Sequence, residues 1–199
     1  MGGRLDNPPL RSDPRAQPEA DTGGKSSPPV PARHINESSE APGQEAILVS
    51  ACLLGESCRY DCQSCKNEAV LSWLEGKNTI SVCPEQDGGL PTPRAPSEIV
   101  SGQGADVLHG DATVRSKDGA DNTDAFVRGA NAALEMAKRY GATVAIMKAK
   151  SPSCGAGTIY DGSFSGNLAV GDGVTTALLK INGIRVITED EISNDESKT

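Results

Sequence analysis

The sequence predicts a single α/β domain, a mostly parallel sheet flanked by helices, behind a disordered N-terminal extension. Three observations predict it. Apolar, β-branched runs recur at residues 46–52, 79–82, 143–147 and 184–188, continuous rather than alternating, as in strands covered on both faces. Stretches of helical spacing stand between them, so strand and helix alternate as in a crossover-linked parallel sheet. Residues 1–45, by contrast, hold eight of the thirteen prolines, no aromatic residue and no apolar period. A segment of that composition buries too little apolar surface to offset the entropy of ordering it.

The elements follow in order. Residues 46–52 form the first strand, and a loop rich in Gly, Cys and Asp leaves it. Asn67 caps a short helix through Val70, Leu71 and Leu74 that stops near Gly76. The second strand spans residues 79–82. Residues 88–96 are too rich in Gly and Pro for regular structure, and a loop of that length in a compact domain is usually functional or mobile. Residues 97–119 are expected to hold a small hairpin or strand pair that includes residues 111–115. Asn122 and Thr123 open the clearest helix, with Phe126, Ala130, Ala133, Leu134, Ala137 and Tyr140 on one face and Gly141 at its end. A strand at residues 143–147, a loop at 148–157 and a short strand at 158–160 come next. A helix over residues 174–181, stopped by Gly183, and a strand over 184–188 complete a Rossmann-like three-layer order. The expected boundaries are 1–45 for the extension, 46–192 for the domain and 193–199 for a flexible C-terminal tail.

Composition narrows the function. The net charge of −8 argues against stable binding to a nucleic-acid backbone, which needs clustered Lys and Arg. No run approaches the ~18 apolar residues of a membrane span, and the N-terminus lacks the apolar core of a signal peptide. The expectation is a cytoplasmic protein, monomer or homodimer, whose partner is a small-molecule substrate and not a membrane. Six cysteines without secretory context suit metal or redox chemistry better than a disulfide framework.

Three of those cysteines, Cys52, Cys83 and Cys154, fall at or just beyond strand ends. The carboxyl ends of parallel strands share one edge, where ligands bind, so thiols distant in sequence can meet there. Three thiolates without an obvious fourth partner suit a metal centre that leaves one position for a substrate. Burial as small hydrophobes is the plain alternative. Cys62-Gln63-Ser64-Cys65 has C-x-x-C spacing, but the second pair a zinc ribbon needs is missing. In Cys83-Pro84-Glu85 a carboxylate stands two residues from a thiol, placed to move protons, while Arg94 and Glu98 read equally as a surface ion pair. Ser151-Pro152-Ser153-Cys154-Gly155 reads as a tight turn that aims N–H groups and hydroxyls at a ligand, with Lys148 and Lys150 beside it. His34 and His109 are a poor inventory for a metal site or a Ser-His-Asp triad.

Together, the segments around Cys52, Cys83-Pro84-Glu85, Gly89-Leu90-Pro91-Thr92-Pro93-Arg94, Ser151-Pro152-Ser153-Cys154-Gly155 and Gly171-Asp172-Gly173-Val174-Thr175 resemble the DUF523 family, which includes thiouracil desulfidases. The resemblance spans residues 47–191. It implies a [4Fe-4S] cluster held by Cys52, Cys83 and Cys154, with the fourth iron open to the sulfur of a thiolated pyrimidine. It implies catalytic roles for Glu85, which would activate water or move protons, and for Ser151, which would position substrate or water. Lys148, Lys150 and Arg94 would orient the base. One position departs from the family pattern: Cys62 stands after Tyr60-Asp61 where glycine is frequent. Cys58, Cys62 or Cys65 would then be able to close the fourth iron or pair as a disulfide. A metal or redox sensor, with zinc or a cluster fully coordinated by cysteines, is the competing expectation.

Overall fold

The computed structural model describes residues 46–196, with side chains through Ile192. The expected N-terminal extension, residues 1–45, lies outside the described residues, as do residues 197–199. Four parallel strands, β1 (Ile47–Ser50), β2 (Thr79–Val82), β5 (Val144–Met147) and β8 (Arg185–Thr188), form a sheet in the order β2-β1-β5-β8. The register sets Ile47 beside Thr79 on one side and Val144 on the other. β1, with a neighbour on both sides, is buried throughout.

Side-chain alternation divides the sheet between two helical layers. Leu48, Ile80, Ala145 and Met147 pack on α4 (Thr123–Arg139) and α5 (Val174–Ile181) through Ala133, Leu134, Ala137 and Leu179. Ile47, Val49 and Ile146 face the other way, onto α1 (Glu68–Leu74) and α6 (Glu189–Glu196) through Val70, Leu74 and Ile192. The fold is therefore three-layered and mostly parallel. The Asn67 carboxamide caps α1 by accepting from Val70 N–H at 3.0 Å. Residues 193–196, assigned to the tail by sequence, are the last turn of α6.

A smaller lobe stands beyond the carboxyl edge. β3 (Ser97–Val100) and β4 (Thr113–Ser116) pair antiparallel around α3 (Gly104–His109), and Ile99, Val107 and Val114 pack on Phe126 of α4. The strand pair was expected; α3 between its strands was not. A second hairpin, β6 (Thr158–Tyr160) with β7 (Leu168–Val170), follows the Cys154 turn. Phe164 N–H, in its tip, donates to Glu98 of β3 at 3.0 Å, which ties the hairpin to the lobe. Among the described residues no helix is long and apolar enough to cross a membrane.

Candidate active site

A cavity of about 410 Å³ opens at the carboxyl ends of β2, β1 and β5. Adjacency of these three strands brings Cys83, Cys52 and Cys154 to its wall, all buried. Each thiol is held by a different local device. Cys52 lies in a 3-10 turn, Ala51–Leu54, that Gly55 closes at φ 103°, a left-handed backbone that suits glycine. Cys83 precedes α2 (Pro84–Asp87), with Pro84 at its first position and the Asp87 carboxylate accepting from Cys83 N–H at 3.1 Å. Cys154 ends a turn in which Ser151 Oγ accepts from both Ser153 N–H and Cys154 N–H, each at 3.1 Å.

Backbone packing behind the wall fixes these segments. A Cβ on Gly129 of α4 would overlap the Pro84 carbonyl, and one on Gly88 would overlap the Ala125 carbonyl. Glycine at both positions therefore lets α2 press directly on α4. Likewise the Cys154 turn supplies carbonyls to the first N–H groups of α5: Val174 N–H donates to Pro152 at 2.9 Å and Thr175 N–H to Ser153 at 2.9 Å. Thr176 Oγ1 adds a bond to the Cys154 carbonyl at 2.7 Å.

Glu85 and Ser151 line the same cavity. Arg94 does not pair with Glu98. Its guanidinium, buried at 7% side-chain exposure, donates from Nε to Glu85 Oε2 at 2.8 Å, and Nη2 ion-pairs with the same oxygen at 2.7 Å. It also reaches Thr92 Oγ1, the Pro91 carbonyl and the Cys58 carbonyl, at 2.9, 3.1 and 3.1 Å. The long Gly- and Pro-rich loop thus delivers one cation onto Glu85. Burial disfavours the Lys148 ammonium, but the ion pair with Glu189 outweighs it and holds the pKa above its ordinary value. Lys150 lines the cavity from a left-handed backbone at φ 63° and is exposed.

The structure separates the three extra cysteines. Cys58 is buried in the cavity wall between Cys52 and Cys83; its hydrogen bond with Cys52, with burial added, pushes its thiol up to about 12. The bond to Cys58 and then burial also push Cys83 far up, and burial pushes Cys154 up to about 12. Cys62 is exposed, at φ 60°. Cys65 is half-buried outside the cavity wall and accepts from Arg59 Nη1 at 2.7 Å, while Asp61 binds the same guanidinium at 3.1 and 3.2 Å. His109 is exposed at the end of α3, away from the cavity wall. Sequence reasoning left Cys58 unassigned and treated Glu98 as surface. The strand Ser97–Val100, with Ser97 and Glu98 on opposite faces, was the one local signal that Glu98 could turn inward.

Among the described residues, no three His, Cys, Asp or Glu side chains are gathered tightly enough to ligate one shared ion. The all-thiol donor set of Cys52, Cys83 and Cys154 on one wall suits iron–sulfur ligation.

The family model for 2-thiouracil desulfurase matches residues 47–191. The chain belongs to that family. Another similar protein is the uncharacterised protein YbbK of Bacillus subtilis (strain 168), 45% identical over 148 residues, which cover 74% of this chain and 98% of YbbK. Among solved structures, the [4Fe-4S]-dependent thiouracil desulfidase TudS is 42% identical with a TM-score of 0.64, the match covering 78% of this chain and all of that one. The 2-thiouracil desulfurase match runs from β1 into α6 and so takes in the whole cavity wall.

Proposed function

We propose that this member of the family is a [4Fe-4S]-dependent desulfidase that converts a thiolated pyrimidine such as thiouracil to its oxo form and sulfide. The observation that carries the reading is the single cavity shared by Cys52, Cys83, Cys154, Glu85 and Ser151. TudS, a solved desulfidase of the same fold, supports it. Cys52, Cys83 and Cys154 would hold the cluster, leaving one iron for substrate. When bound, the cluster supplies a Lewis acid for the thiocarbonyl sulfur.

The residues supply the rest. Water adds to the thiocarbonyl carbon and the C–S bond breaks, so thiocarbonyl plus water becomes carbonyl plus hydrogen sulfide. Arg94 engages Glu85 Oε2 through a hydrogen bond from Nε and an ion pair with Nη2, which leaves Oε1 to accept the proton of the attacking water. Ser151 Oγ already accepts two backbone N–H bonds, so both lone pairs are engaged and the hydroxyl acts as a donor toward the cavity. Lys148, kept charged by Glu189, contributes field rather than a base.

Anaerobic reconstitution tests the reading. About four irons per chain are expected of a cubane cluster, with sulfide released from thiouracil. Glu85→Ala is expected to keep the iron and lose sulfide release by at least ~100-fold, in the range of a general-base contribution. Colourless protein carrying zinc, or a Glu85→Ala variant of undiminished rate, would overturn it. A second reading, a fully cysteine-coordinated centre without catalysis, draws on the position of Cys58 beside Cys52 and Cys83.

A further inference from the structure

Glu98 is a second carboxylate on the cavity wall, 8% exposed and absent from the mechanism above. Its situation differs from that of Glu85. Oε2 accepts one backbone N–H, from Phe164 at 3.0 Å, and among the described residues nothing else bonds or ion-pairs with the group. Arg115, opposite it in the β3–β4 register, turns instead to Asp121 at 3.5 Å. Oε1 is not fully buried, and the residue lines the cavity. A buried carboxylate with one neutral partner is costly to keep unless a ligand completes its bonding.

A carboxylate only accepts. Three other polar groups of the wall already have a role: Arg94 with Glu85, Lys148 with Glu189, and Ser151 as a donor. A thiolated pyrimidine carries ring N–H donors next to the thiocarbonyl, and these need an acceptor. Resting on the function proposed above, we propose that Glu98 Oε1 accepts one ring N–H of the substrate, so that the pocket selects cyclic thioamides that retain that N–H. Phe164 fixes the polarity of the subsite. In a Glu98→Gln variant the amide oxygen must meet Phe164 N–H, which turns the NH2 group to the cavity, donor against donor.

The test uses the full chain, loaded anaerobically, with 2-thiouracil and its 1-methyl and 3-methyl analogues in equilibrium dialysis. The wild type is expected to bind one of the two analogues about 10- to 100-fold more weakly than 2-thiouracil, the worth of a hydrogen bond to a charged group. Glu98→Gln is expected to bind 2-thiouracil about as weakly as that analogue, with iron content and visible absorbance unchanged and the loss expressed in KM rather than kcat. Equal wild-type affinity for all three ligands, or discrimination that persists in Glu98→Gln, overturns the assignment while leaving desulfidase activity standing. A wild type that neither binds nor desulfurises any of the three overturns the proposed function and this assignment with it. If Glu98→Gln loses iron, the methyl series on the wild type still decides.

Discussion

Arg94 sets the electrostatics of the proposed site through a single guanidinium that touches Glu85, Thr92 and the Cys58 carbonyl at once. The planar fork matters here, because lysine offers a point charge and cannot span three acceptors. Arg94→Lys is therefore expected to hold iron yet lower kcat about tenfold, KM moving little. Arg94→Ala leaves Glu85 charged and unpaired, which costs stability on the order of 3 kcal/mol for a largely buried pair. Thermal melts of both variants, read beside iron content, check this, and an Arg94→Lys variant of full kcat would remove Arg94 from the mechanism. Cys58 is decided the same way. If it stands beside the cluster without binding it, Cys58→Ser retains about four irons and its activity; if it closes the centre, iron falls.

At the scale of elements, α2 and the Cys154 turn are held by backbone contacts with α4 and α5. Gly129→Ala pushes a methyl group into the Pro84 carbonyl, and overpacking of this kind costs about 1–3 kcal/mol. The variant is expected to melt several degrees lower and to load iron poorly, because the displaced segment carries Cys83 and Glu85; normal melting and loading would contradict the contact. These elements also show what local sequence carries. α4 and α5 were legible because eight or more residues repeat an apolar face with glycine at the stop. α2, four residues long, has no period to read; Pro84 and the Asp87 carboxylate build it. α6 was missed because its first turn is acidic and its docking rests on Ile192. β7 exposes Leu168 and Val170 and gains its order from pairing with β6.

For the molecule as a whole, the sheet order β2-β1-β5 decides which residues meet. The positions of Cys52, Cys83 and Cys154 were legible because thiols at or past strand ends announce themselves. The Arg94–Glu85 pair was not, since a loop path chooses its partner, and neither was Cys58, whose chain must fold back from the 3-10 turn. Burying these thiols on one cavity wall has a thermodynamic signature. Cys58 and Cys154 are raised to about 12 from an ordinary 9.0, so above pH 9 the unfolded chain releases protons that the folded chain retains. Cluster-free protein is thus expected to hold full stability below pH 9 and to lose it as pH rises toward 12. Melting at pH 8 and pH 10 checks the sign, with Cys58→Ser showing a shallower decline; a midpoint that climbs with pH would refute it.

Among the described strands, β1 comes first along the chain, and both of its neighbours, β2 and β5, come later. Cys52 leaves the ribosome about a hundred residues ahead of Cys154. On the proposed ligand set, the third sulfur joins the other two only when β5 docks beside β1, so cluster loading is expected to follow closure of the sheet rather than precede it. A chain truncated ahead of β5 would give an iron donor only part of a coordination sphere.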